Sequence, residues 1–258
     1  MIHPSAVVEE GARLGTGVRI GAFAYVGPRV VLEDGVELRP HAVVTGDTRL
    51  GEGSVVFSHA AVGEIPQDLK FKGERTSLVI GARNRIREGA TLNVGTAGGG
   101  GVTRVGDDNL FMTGAHVAHD AVVGSRVVVA NQSAIAGHCE IGDDVVIGGL
   151  AGIHQWVRVG RGAIVGALSM VTNDVIPYGL VQGPRGELDG LNLVGMKRRG
   201  VQRSDITALR AAYATLKQGE GSFAERARRL SDETDSEMVR EVCAFVLAQS
   251  DRHFLVPK

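Results

Sequence analysis

A branched aliphatic residue recurs at every sixth position over most of this chain, and few folds can use that spacing. The first run is Ile2, Val8, Leu14, Ile20, Val26, Leu32, Leu38, Val44, Leu50, Val56 and Val62. The phase returns at Ile80, Ile86 and Leu92. After a one-residue slip it runs from Val105 and Phe111 through Val117, Val123, Val129, Ile135, Ile141, Ile147, Ile153, Val159 and Val165 to Val171. Four places after the aliphatic the residue is mostly small or Val (Ala6, Ala12, Val18, Ala24). Glycine often follows the aliphatic directly, as at Gly15, Gly21, Gly51, Gly142 and Gly160. A period of six suits neither an amphipathic helix (about 3.6) nor a half-buried strand (about 2). It suits very short strands separated by turns, with glycine where the backbone bends or is closely approached.

Three hexads make one coil of a three-sided prism, and stacked coils hydrogen-bond as parallel strands about 4.8 Å apart. The repeat therefore predicts a mostly β chain built as a parallel β-helix over residues 1–180. It is interrupted by a polar excursion at 64–78 and a glycine-rich one at 93–104. Long loops thrown out of a regular solenoid are more often functional than decorative. Residues 181–200 read as a connector. Residues 201–258 read as a helical domain that covers the open end of the solenoid. Ile206, Leu209, Tyr213 and Leu216 recur at helical spacing, Ser222 and Glu225 form a capping box, and Met238, Val242, Phe245 and Val246 share one face over about 236–250.

Composition agrees. Thirty-seven glycines and only 4% aromatics describe a core of Val, Ile, Leu and Ala with many tight turns. The net charge of -1 gives no basic footprint for nucleic acid. No apolar run is long enough to span a membrane, and residues 1–5 show no signal-peptide pattern. Two isolated cysteines, Cys139 and Cys243, suggest reduced thiols and a cytoplasmic protein.

Of eight histidines, four fall within residues 116–154: His116, His119, His138 and His154. With three hexads to a coil, His119 lies one coil below Gly137 and two below Gln155, while Asp120 lies directly below His138. Clustered titratable groups in a chain with few polar interior positions point to a functional site. Zinc is the competing use of such histidines, and the spacing His116-x-x-His119 could reach one. No acidic or cysteine signature settles that reading, and we assign no metal and no cofactor.

The hexads resemble the hexapeptide acyltransferase superfamily, and that resemblance implies a left-handed β-helix; the general preference for right-handed crossovers would imply the opposite. More specific segments are Glu64-Ile65-Pro66-Gln67-Asp68-Leu69-Lys70, Gly114-Ala115-His116-Val117-Ala118-His119-Asp120, Ala136-Gly137-His138 and Leu191-Asn192-Leu193-Val194-Gly195-Met196-Lys197-Arg198-Arg199-Gly200. Together they resemble the UDP-N-acetylglucosamine O-acyltransferase family over nearly the whole chain. The family catalyses the first step of lipid A synthesis in the cytoplasm of Gram-negative bacteria.

The resemblance implies transfer of a 3-hydroxyacyl chain from acyl carrier protein to the 3-hydroxyl of UDP-N-acetylglucosamine by a homotrimer. It makes His119 the general base, Asp120 its orienting carboxylate and the Gly137 N–H the oxyanion donor. Asp68, Lys70, His116, His138, His154 and Gln155 would line the sugar and acyl positions. Asn192, Arg198 and Arg199 would meet the diphosphate and uridine. Basic surface such as Arg203 or Arg210 would receive the acidic carrier protein, and Ala167 would help set acyl length. The chain departs from the family where Asn93-Val94 replaces a usual His-Arg pair and where Val194 replaces an acidic residue. These positions keep open an acceptor with a 3-amino group, giving an amide. Hexads alone would also fit an acetyl-CoA-dependent acetyltransferase.

Overall fold

The computed structural model describes residues 1–250 and 252–257. Strands mostly two residues long stack into three flat parallel sheets of nine, eight and ten strands. The first face runs from Val7–Val8 up to Met170–Val171, and the second from Arg13–Leu14 to Arg158–Val159. The third runs from Arg19–Ile20 to Ile164–Val165 and then Gly179–Gln182. Val7 pairs with Tyr25 and Tyr25 with Val43, so each coil takes three hexads and the chain is a parallel β-helix.

The sixth-position aliphatics point inward. Val26, Leu32, Leu38, Val44, Leu50 and Val56 are essentially inaccessible to solvent. The small residues four places later, such as Ala24, Val30 and Ala42, fill the corners. A flat prism has little room at a corner, which is why bulky side chains are confined to the faces. Only the lowest coil breaks this pattern: Ile2 is about half exposed because nothing lies beneath it.

Both excursions leave the first corner, where the chain turns from the first face to the second. One joins Ala61–Glu64 to Ser77–Ile80; the other joins Thr91–Asn93 to Val102–Val105. The strands of the second face reach four residues here, so the loops proper, 65–76 and 94–101, are shorter than the breaks in the repeat. The two loops touch, with the Ala97 N–H donating to Glu74 Oε1 at 3.3 Å. The second stands immediately below the coil that carries His119, and the first one coil lower.

Residues 181–200, expected to connect the two domains, hold more structure than that. Glu187–Leu191 folds back antiparallel on Gly179–Gln182 and ends the third face, and helix α1 (Leu193–Arg198) follows. Helices α2 (Arg203–Lys217), α3 (Phe223–Glu233) and α4 (Glu237–Leu247) form the helical domain. The capping box at Ser222 and Glu225 starts α3 with both of its hydrogen bonds. On α4 the expected Val242 and Val246 are buried together with Val239 and Cys243, while the expected Met238 and Phe245 lie at the edges of that face and are partly buried. The tail then returns to the prism: Asp174 bridges Phe254, and Leu188 bridges Pro257.

Candidate active site

The first corner of three successive coils carries the residues that could do chemistry. Asp120, His138 and Trp156 occupy the same corner position one coil apart, each with φ between 60° and 67°. This left-handed conformation is uncommon for non-glycine residues. The corner imposes it, and the result is that three functional side chains project in one column.

His119 Nδ1 lies 2.8 Å from Asp120 Oδ2. The carboxylate can only accept, so Nδ1 carries the proton and Nε2 keeps its lone pair. Asp120 is held by the second excursion. Its Oδ1 accepts from the Thr96 N–H at 2.8 Å, and its Oδ2 from the Thr96 hydroxyl at 2.6 Å. The Asp120 N–H donates to the Thr103 hydroxyl at 2.8 Å. The glycines of this loop allow the approach: a Cβ on Gly99 would stand 2.1 Å from the Asp120 carboxyl carbon. The Asp120 side chain is thus fully buried and doubly anchored before it orients the imidazole.

Gly137 lies directly above His119. A Cβ there would stand 2.6 Å from His119 Cε1 and 2.8 Å from Nε2, so the ring packs flat against a bare backbone. Among the described residues the Gly137 N–H donates to no acceptor. A base with a free Nε2 therefore sits beside an unused N–H donor, which is the pairing that acyl transfer needs.

His138 meets the His119 ring edge-on at 5.0 Å and stacks on Trp156 at 3.8 Å. Its Nδ1 is 3.8 Å from Asp120 Oδ2. Burial lowers the His138 pKa, against the pull of Asp120; the charges of Asp68 and Lys70 on the first excursion also reach it. His116 sits on the first face with its Nδ1 2.8 Å from the Thr91 hydroxyl, and burial lowers its pKa as well. Both imidazoles therefore take up a proton less readily than a free one. Cys139 lies inside this corner with its thiol pushed up to about 12 by burial, so it supplies no nucleophile. His119, Asp120 and His138 could also hold a metal, their ligating atoms lying within 4.8 Å of one another. The carboxylate's contacts with Thr96 compete with that use. A cleft of about 600 Å³ opens beside the column, lined by Gly98, Gly99, Val122, Trp156, Gln249 and Ser250 among others.

Residues 174–255 match the family model for domain 2 of UDP-N-acetylglucosamine O-acyltransferases, and residues 138–173 match the bacterial transferase hexapeptide model. The acyl-[acyl-carrier-protein]–UDP-N-acetylglucosamine O-acyltransferase of Rhizobium johnstonii is 50% identical over 257 residues, 99% of this chain and 94% of that protein. Its counterpart from Paracoccus denitrificans is 63% identical over 203 residues, 79% of this chain and 77% of that protein. This chain belongs to the UDP-N-acetylglucosamine O-acyltransferase family. A solved Campylobacter jejuni UDP-N-acetylglucosamine acyltransferase superposes on it over the full length of both chains, with a TM-score of 0.94 and 41% identity.

The remaining candidates implied by the family resemblance are spread over all three corners. Asn192 caps α1 at the second corner: its Oδ1 accepts from the Gly195 N–H, and its Nδ2 donates to the Gly162 carbonyl, each at 2.9 Å. Both polar ends of that side chain are occupied in this chain. Arg199 reaches the same Gly162 carbonyl at 3.5 Å, Arg198 ends the same helix, and Val194 is exposed on it. Ala167 is exposed at the third corner beside Leu168. Asn93 and Val94 are buried at the root of the second excursion, and among the described residues Asn93 Oδ1 has no hydrogen-bond partner. His154 and Gln155 share the first corner and meet the C-terminal tail, His154 through its ring and Gln155 through its backbone carbonyl.

Four residues of the site escape a reading by motif: Thr91, Thr96, Thr103 and Trp156. Trp156 had a signal, since it is the single tryptophan and stands one coil above His138. Thr96 had none, because the excursion that carries it has no repeat to align.

Proposed function

We propose that this protein transfers a 3-hydroxyacyl chain from acyl carrier protein to the 3-position of UDP-N-acetylglucosamine, with His119 as general base. The observation that carries the mechanism is the triad of His119, Asp120 and Gly137. His119 Nε2 takes the proton of the sugar hydroxyl as its oxygen attacks the thioester carbonyl. The Gly137 N–H stabilises the oxyanion that develops there. Collapse expels the carrier thiolate, and His119 returns the proton to sulfur. No cofactor is required by this chemistry, because the donor is the thioester itself.

The spread of candidate residues over three corners supports a homotrimer. Within one copy the first corner holds the base and the second holds Arg198 and Arg199, so one sugar nucleotide reaches both sets only between copies. The upper part of the outward row of the third face, Leu110, Val128, Val146, Ile164 and Leu180, is apolar and only partly buried within one chain. Such a face is what a subunit contact covers. Arg203 and Arg210 are exposed on α2, two turns apart on one side, and suit an acidic carrier protein. Two free buried cysteines agree with action in the cytoplasm.

The departures from the family pattern at Asn93-Val94 and Val194 support a second acceptor, the 3-amino analogue of the sugar nucleotide. Transfer to the 3-hydroxyl and 3-amino sugar nucleotides, run side by side, tests the function. Acylation of either supports the reaction class, the faster one identifies the acceptor, and no transfer to either refutes it.

A further inference from the structure

The C-terminal tail packs against the first corner, and its placement there is specified by a chain of contacts that begins in the prism. Asp174 is fully buried on the top coil. Its N–H donates to the His253 carbonyl at 2.8 Å, and its carbonyl accepts from the Leu255 N–H at 2.9 Å. Asp174 Oδ2 accepts from the Ser250 hydroxyl at 2.6 Å, and the Ser250 oxygen accepts from the Arg252 N–H at 3.1 Å. With the backbone fixed on both sides, the Arg252 side chain falls on His154 and Gln155. Its Nη2 is 2.7 Å from His154 Nδ1, and its Nε donates to the Gln155 carbonyl at 3.1 Å.

A guanidinium has five N–H groups and no lone pair, so it can only donate. The His154 nitrogen facing it must therefore be the unprotonated one. The same ring nitrogen lies 3.3 Å from the Gln155 carbonyl, a contact that would need a proton on Nδ1. The shorter contact to Arg252 decides between them, because the Arg252 Nε–H already serves that carbonyl. The His154 backbone is also pinned, its N–H donating to the Val171 carbonyl at 2.9 Å and its carbonyl accepting from Cys139 Sγ at 3.0 Å. The imidazole is thus clamped at one nitrogen on an anchored backbone.

We infer that Arg252 is a positioning residue that locks His154 in the Nε2–H tautomer, so that His154 presents a hydrogen-bond donor to an oxygen of bound substrate. This inference deepens the proposed acyl transfer and rests on it for its meaning. The tautomer itself can be read without any turnover. His119 and His154 are then opposite tautomers one coil-pair apart. Asp120 puts the proton on Nδ1 of the base, and Arg252 removes it from Nδ1 of the binding residue.

The test is the solid-state ¹⁵N spectrum of histidine-labelled full-length protein, with His154 assigned by the signal missing from His154→Gln. The wild type should show His154 as one Nε2–H form. Arg252→Met should mix the two tautomers, and Arg252→Lys, which still donates, should restore the single form. In the transfer assay Arg252→Met should raise the KM for one substrate about tenfold with little change in kcat, the size of one lost hydrogen bond, and Arg252→Lys should recover it. Melting temperatures report whether each variant is folded, since the Asp174 contacts remain. An unchanged His154 spectrum in Arg252→Met overturns the inference, as does an equal shift in both variants. A tautomer change in a protein whose wild type transfers no acyl group would leave the lock standing and remove the reaction instead.

Discussion

Gly137 and His119 sit so close across one coil that a single added methyl would overlap the imidazole, standing 2.6 Å from Cε1. The base and the oxyanion donor are therefore one packed unit, with the spacing set by the stacking of coils and not by flexible side chains. Gly137→Ala should displace the His119 ring while leaving the β-helix folded. We expect kcat to fall about a hundredfold, the usual result of misplacing a catalytic group by an ångström. Circular dichroism and melting temperature should stay near the wild type, and steady-state kinetics will check the loss.

Asp120 acts through His119, and Thr96 acts through Asp120. Asp120→Asn should lower kcat by about 10²- to 10⁴-fold, as removal of the orienting carboxylate does in comparable base pairs. Thr96→Val removes one of several donors and should cost about tenfold. Because Asp120 is committed to these contacts, chelators should leave wild-type activity unchanged. Loss of activity with a chelator and its recovery with added zinc would assign the cluster to a metal.

Trp156 is the only tryptophan and stacks on His138, so its fluorescence reports the charge on that ring. Burial lowers the His138 pKa below the ordinary 6.5. Emission should therefore quench with a midpoint below pH 6.5, and His138→Gln should abolish the transition. The linked stability follows the same sign. The unfolded chain takes up protons at His138 and His116 first, so their contribution is complete above about pH 6.5. It falls as the pH drops from there through the folded values. Thermal melts at stepped pH will show this.

The Arg158–Asp174 pair joins the solenoid to the tail. Arg158 Nε is 2.7 Å from Asp174 Oδ2, and the guanidinium lies over the Phe245 ring at 4.5 Å. Asp174→Ala leaves a nearly buried cation unpaired and removes the Ser250 contact, while the main-chain bonds to His253 and Leu255 remain. A loss of about 3 kcal/mol is expected, measured as a shift in the denaturation midpoint.

The core was legible because the inward position recurs every sixth residue, and a side chain on a flat face has one place to go. The same arithmetic placed Gly137 over His119 and Asp120 under His138 from numbering alone. What lay outside the repeat was not legible. Thr96 meets Asp120 24 positions away because a glycine loop folds back, and nothing periodic announces that. The motif that marks Asn192 says nothing of its side chain spanning the α1 cap and the Gly162 carbonyl. The hairpin of 179–191 reads as connector because its turn breaks the register. Arg252 finds His154 only through the tertiary contacts of Asp174.

The most direct test is acyl transfer from 3-hydroxyacyl-acyl carrier protein to UDP-N-acetylglucosamine and its 3-amino analogue, by wild type and by His119→Ala. The account predicts transfer by the wild type and a loss of at least about a thousandfold in the variant. Transfer that survives in His119→Ala would contradict the assignment of the base, and a wild type inactive on both sugars would contradict the reaction.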